Sequence, residues 1–209
     1  MKSNREYRAQ ARAALKGNWS KPVLLTLLVS LIVSGLTGSF SYVILDKPYF
    51  SVVSMLVTLP LQFGLVVAML LFFRGQKENC VENGFRIAFK PFSTAFLVEF
   101  FKEFMVVLGL ALLVVPGIIL DMAYSMAEFI AYDEPEISPA EALRRSRRLM
   151  KGHKWQIFCL ELSFIGWILL SCIFTLGIGL LWVVPYMLQS IAAFYEDLKQ
   201  EAPVSELDA

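Results

Sequence analysis

Between Phe92 and Tyr132 the chain runs through 41 residues that are overwhelmingly apolar. A straight helix of that length would measure about 60 Å at 1.5 Å per residue, twice the ~30 Å of a bilayer's hydrocarbon. The stretch has to break, and Pro116-Gly117 supplies the place. In one threading, Phe92–Glu103 lies at the interface and a single helix crosses, kinked at Pro116. In the other, the chain reverses at Pro116-Gly117 and makes two short crossings or a re-entrant hairpin.

The basic residues discriminate between these threadings. One block holds Lys2, Arg5, Arg8, Arg12, Lys16 and Lys21, and a later one holds Arg144, Arg145, Arg147, Arg148, Lys151 and Lys154. Lys and Arg flanking membrane helices stay on the cytoplasmic side. A single crossing between Lys90 and Asp133 would place one block outside, whereas a reversal keeps both inside. The reversal is therefore the expected threading.

Composition agrees with a membrane chain: 57% of the residues are hydrophobic and 18% charged, with a mean hydropathy of +0.61, well above soluble usage. The cysteines make no disulfide framework, because Cys159 and Cys172 are separated by about 20 Å of one helix. With a single histidine, His153, and no metal-ligand spacing, a zinc site is not expected. There is no nucleophile elbow, phosphate-cradling glycine loop or zinc signature, so neither catalytic residues nor a cofactor are expected. Arginine clustering in so apolar a chain points to lipid headgroups or topology, not to nucleic acid.

The expected fold is all-α: a polytopic transmembrane helical bundle with amphipathic basic interfacial helices. Residues 1–21 form the first of these helices, opened by a Ser3/Glu6 capping box and ended by Gly17. Tyr7, Ala11, Ala14 and Leu15 share one face and the basic residues another, as in an interfacial anchor rather than a cleaved signal. A single transmembrane domain at 22–198 follows, with spans near 23–45, 50–73, 94–115, 117–132, 155–175 and 180–198. These make six crossings, or four plus a re-entrant hairpin. Ser30, Ser34 and Gly38, with Gly35 and Ser39, form a small-residue ridge for close helix contact. Arg74–Pro91 reads as a polar loop, 138–151 as a cytoplasmic amphipathic helix and 199–209 as a disordered tail. Arg5, Arg8, Arg12, Lys16, Arg144, Arg145, Arg147 and Arg148 are the candidates for contact with anionic lipid.

The segments YSM, DEPEISPAEALRRSRRLMKGHKW, LSFIGW, TLGIG and PYMLQSIAAFYEDL resemble the bacterial integral-membrane family catalogued as domain-of-unknown-function 975. A looser similarity, in the PGI break and a Gly-aromatic step, runs to the membrane domains of some glycerophosphodiester phosphodiesterases. The resemblance implies a membrane fold and a bacterial membrane location but no established activity; with the basic blocks inside, a multi-pass protein of the cytoplasmic membrane with both termini cytoplasmic is expected. The function expected is a module that binds a lipid, a small molecule or a membrane protein partner; the alternative is a small transporter or transporter subunit.

A last expectation concerns charge at depth. Under the reversed threading Glu161 lies about 9 Å inside the interface, with Glu128 at a similar depth and Lys102 able to reach the same layer. Ionised groups there need partners or water. Lys102, Glu128 and Glu161 are thus candidates for an intramembrane polar site in which Lys102 neutralises one carboxylate. Glu99 and Glu103 are expected nearer the headgroups, and Asp121 at the outer interface.

Overall fold

The computed structural model describes residues 2–37, 48–90 and 92–201, and among them every element is a helix. Helix α1 (Asn4–Leu15) starts at the capping box read from the sequence, with the Ser3 amide donating to Glu6 Oε2 at 2.6 Å. It ends before Gly17, whose φ of 80° suits a residue without a Cβ. Tyr7, Ala11 and Leu15, spaced i, i+4, i+8, are fully buried. Protein, not lipid, covers this face: the Tyr7 ring meets Phe194 edge-on at 5.3 Å. The apolar face of the N-terminal helix is therefore buried in the core of the protein.

Helix α2 (Ser20–Thr37) leaves α1 at a bend of 98°. Residues 38–45 of the expected first span and the turn at 46–47 lie outside the described residues, as do Gly38 and Ser39 of the expected ridge. The rest of that ridge, Ser30, Ser34 and Gly35, is exposed, and a Cβ on Gly35 would meet nothing. The close approaches use other glycines. Helix α3 (Pro48–Phe73) runs through Pro60 and packs on α4 (Cys80–Phe89), where Gly64 faces the Gly84 carbonyl so closely that a Cβ would stand 2.2 Å from it. The expected polar loop at 74–91 thus contains a helix. Cys80, Gly84, Ile87 and Ala88 recur at i, i+4, i+7, i+8 and are buried, a stripe outweighed by the surrounding charges when the segment is read by composition.

Helix α5 (Phe92–Leu112) and helix α6 (Val114–Tyr124) form a tight hairpin. The chain reverses at Leu113, which is extended at φ −164°, ψ 148°, and not at Pro116-Gly117. Proline fits within the first turn of α6 because amides there have no helical acceptor in any case. Gly117 instead lets the two helices touch: a Cβ on Gly109 would sit 2.9 Å from its Cα.

Helix α7 (Ala127–Asp133) follows a break at Ser125-Met126, closed by a side chain from helix α8 (Pro139–Leu149). Ser146 Oγ donates to the Ala123 carbonyl at 2.9 Å and accepts from the Met126 amide at 3.2 Å. At the start of α8, Ser138 Oγ accepts from the Glu141 amide, with Pro139 in the first turn. Helices α9 (Lys154–Thr175) and α10 (Leu180–Glu201) form the last hairpin, turned by Leu176 and Gly177 in left-handed conformations. Because α10 continues to Glu201, residues 199–201 of the expected tail are helical; 202–209 lie outside the described residues.

Among the described residues, three segments are long and apolar enough to cross a membrane: Ser54–Phe73, Val114–Asp133 and Lys154–Thr175, or four with the bent pair α1–α2 counted. Six were expected. Helix α5 carries Glu99, Lys102 and Glu103, and α10 carries Glu196, Asp197 and Lys199, so neither is uniformly apolar.

Candidate functional site

Charge inside the bundle gathers where α5 meets α7. Lys102 forms ion pairs with Glu128 and, at 3.3 Å, with Glu99 one turn back on its own helix. Both carboxylates are 2% exposed. One ammonium group serves two carboxylates, and Glu99 Oε1 and Glu128 Oε2 are left without a hydrogen-bond partner. Unpaired oxygens at such burial are costly, so the triad retains capacity for a further donor. Of the three residues expected here, the structure brings together Lys102 and Glu128. Glu161 makes no ion pair among the described residues, although it lies within electrostatic range of Asp121 and Lys102. Glu99, expected nearer the headgroups, takes its place because the i, i+3 spacing puts it beside Lys102; Glu103 is exposed. Asp121, expected at the outer interface, is in range of Lys102 and Glu128.

A second cluster escaped sequence reading. The Arg74 guanidinium grips Asp133 with two hydrogen bonds, of 2.6 and 2.8 Å, and donates from Nε to Glu196 at 2.6 Å. Asp133 also accepts from Tyr195 (2.9 Å) and Lys199 (2.7 Å). These partners hold the Arg74 guanidinium above its ordinary value, with the hydrogen bonds to Asp133 as the largest cause. The network joins the ends of α3, α7 and α10, from positions 59 to 122 residues apart. No local pattern in the sequence encodes such pairings.

The arginines proposed for anionic lipid fall into different settings. Arg145 is taken up by Glu134 at 2.6 Å and Arg144 by Glu141 at 3.2 Å, while Arg147, Arg148 and Lys16 are exposed. Arg5, Arg8 and Arg12 form no ion pair among the described residues. They line one wall of a groove of about 480 Å³ whose other wall is Trp167, Trp182 and Val183, with Trp19 and Tyr186 between. Tyr186 anchors the groove: its hydroxyl donates to the Arg8 carbonyl at 3.3 Å, and its ring meets Phe164 at 5.1 Å and Trp19 at 6.4 Å. No group of three or more His, Cys, Asp or Glu suited to a metal ion occurs among the described residues.

Fold and site together define an all-helical protein with at least three helices suited to a membrane and charged groups at the helix ends. The chain matches the family described as Protein of unknown function (DUF975) over residues 1–120 and 105–202, and it belongs to that family. No curated protein and no solved structure matches it. The similarity to glycerophosphodiester phosphodiesterase membrane domains gains no support from these comparisons.

Proposed function

We propose that the protein is a multi-pass integral membrane protein of the bacterial cytoplasmic membrane, with both termini cytoplasmic. In this reading it binds a lipid, small molecule or partner protein and catalyses nothing. One observation carries the membrane reading: the far half of the α9–α10 hairpin has no protein cover. Ile173 is 71% exposed, Phe174 77%, Leu176 93% and Ile178 62%. A continuous apolar surface of this kind is expected against hydrocarbon or a partner, not water. The opposite ends support the orientation. Lys2 pairs with Asp197, its carbonyl accepts from Gln156 at the start of α9, and the Arg74–Asp133 network ties in α3, α7 and α10. Lys2, Asp197 and the start of α9 thus lie together beside the basic blocks, which supports putting this end in the cytoplasm.

Binding is favoured over transport by the α5–α6 hairpin. Phe104–Leu120 contains no charged or hydroxyl side chain, so the Glu99–Lys102–Glu128 triad has no polar continuation toward the hairpin tip. The test is alkaline washing of membranes, then purification in mild detergent with mass spectrometry of co-purifying lipids and proteins. Retention in the washed membrane with a stoichiometric companion supports the reading. Release by alkali would refute the membrane assignment, and substrate flux in vesicles would replace the binding module with the transporter.

A further inference from the structure

The groove between α1 and the last hairpin has a charged wall and an apolar wall, which together define an amphiphilic anion. We propose that it binds one molecule of anionic phospholipid, the phosphate against Arg5, Arg8 and Arg12 and an acyl chain along Trp167, Trp182 and Val183. The proposal rests on the membrane reading above and adds the class of ligand and its place.

Two independent features carry it. The first is uncompensated charge. Three arginines, spaced 5, 8 and 12, project from one side of α1, because its other side is committed to the core through Tyr7, Ala11 and Leu15. They have no acidic partner among the described residues, whereas the arginines of the comparably basic α8 are partly consumed by Glu134 and Glu141. A guanidinium presents a planar fork of donors matched to phosphate oxygens. The second is the facing wall. Trp182 is 49% exposed and Trp167 54%, an uncovered apolar surface suited to an acyl chain. A small inorganic anion would use the arginines and leave the indoles uncovered; a neutral lipid would do the reverse. The cavity, about 480 Å³, holds a headgroup and the first part of a chain, the remainder running out over the uncovered face of α9.

Tyr186 sets the spacing between the walls. Its hydroxyl pins the backbone of Arg8, and its ring lies between Phe164 of α9 and Trp19. Tyr186 thus ties the arginine-bearing helix to α9 and to Trp19 within the groove.

The test uses the full-length protein in detergent and native mass spectrometry with phosphatidylglycerol and phosphatidylcholine of identical chains. Arg5→Gln, Arg8→Gln and Arg12→Gln combined should abolish the preference for phosphatidylglycerol. Each charge removed is expected to weaken binding roughly fivefold, the equivalent of about 1 kcal/mol per basic residue near the surface. A matched triple variant on α8, Arg144→Gln, Arg147→Gln and Arg148→Gln, should retain the preference. Equal loss in both triples would reduce the effect to general surface charge and overturn the site. Displacement of bound lipid by millimolar inorganic phosphate alone would reassign the arginines to a free anion. A second measurement needs no variant: phosphatidylglycerol carrying a photoreactive acyl group should label the wild-type protein around Trp167 and Trp182. Labelling spread evenly over the bundle would defeat the proposal. A protein that resists alkaline washing yet shows no lipid preference would defeat the groove alone; one released by alkali would defeat the membrane reading on which it stands.

Discussion

The phenol of Tyr7 donates a 2.6 Å hydrogen bond to Oδ2 of Asp197, 190 residues away in the chain. Asp197 also accepts from the Lys2 amide at 3.1 Å and pairs with the Lys2 ammonium at 2.8 Å. The first helix is thereby fastened to the end of the last, and the groove between them is fixed from both sides.

Tyr7→Phe removes one donor and leaves Asp197 its two contacts to Lys2, so the expected loss is about 0.5–1.5 kcal/mol in detergent unfolding. Burial foremost, and then the bond to Asp197, hold the Tyr7 phenol above its ordinary value near 10. A folded-state value raised in this way gives stability that is complete below pH 10 and is lost as the pH rises toward the folded value. Spectroscopic titration of tyrosine should show that a phenol ionising above pH 10 in wild type is missing from Tyr7→Phe, its ionisation coinciding with release of α1 to protease. Ionisation of Tyr7 with the exposed phenols would refute this.

Glycine substitutions should separate the two kinds of glycine. Gly109→Ala and Gly117→Ala each force a methyl group into backbone or side-chain atoms within 3 Å across the α5–α6 hairpin, and should destabilise it by about 1–3 kcal/mol. Gly166→Ala in α9 meets nothing within 4 Å and should be neutral or stabilise the helix by up to about 1 kcal/mol. Thermal melts of the three variants decide, and equal effects would contradict the hairpin packing.

Asp133→Asn should be among the most damaging conservative changes. It removes the charge facing Arg74 and Lys199 at a side chain 11% exposed. The expected cost is about 2–3 kcal/mol, below the full penalty for a deeply buried pair because Arg74 keeps Glu196. Arg74→Lys should cost part of that, since one ammonium cannot reproduce the fork on Asp133 and the contact to Glu196 together.

In the α5–α7 triad, Lys102→Met strands two carboxylates and should cost about 3–5 kcal/mol, whereas Lys102→Met with Glu99→Gln and Glu128→Gln should recover most of it. A double-mutant cycle should give clear coupling between Lys102 and Glu128 and under about 0.5 kcal/mol between Lys102 and Glu161. Strong coupling of Glu161 would restore it to the site.

Threading can be read by single-cysteine labelling of intact cells. Cysteines at positions 10 and 147 should be protected from outside reagents and one at 178 should react. The native Cys80 is a poor reporter, because it is 1% exposed and burial pushes its thiol up to about 11. Thiolate, the reactive form, is scarce at neutral pH, so the native thiol should label slowly even in opened cells. A cysteine replacing the exposed Glu78 is the better probe of that loop.

How much of this was legible in the sequence follows from the range of each interaction. The Ser3/Glu6 capping box, the Gly17 stop, the α8 start and the apolar stretches depend on residues within a turn or two of one another, and those positions announced themselves. So did the need for a break between Lys90 and Asp133, from length against bilayer thickness, and the choice of a reversal, from the basic blocks on either side. Its place was misread by three residues: Pro116 looked like the break but is accommodated in the first turn of α6, while Leu113 takes the extended conformation.

What only the tertiary structure decided depends on atoms distant in the chain. Glu99 rather than Glu161 joins Lys102, because the α5–α7 contact determines which carboxylates share one ammonium. Arg74 finds Asp133 and Glu196 only once three helix ends meet. Arg5, Arg8 and Arg12 were visible as charge, but their place in one groove with Trp167 and Trp182 follows from where α1 packs. The sequence determined which segments must leave water and which charges must stay near it. The packing of α1 on α10 decided which of those charges remain free, because a hydrogen-bonded partner consumes a charge only where the fold brings the two together.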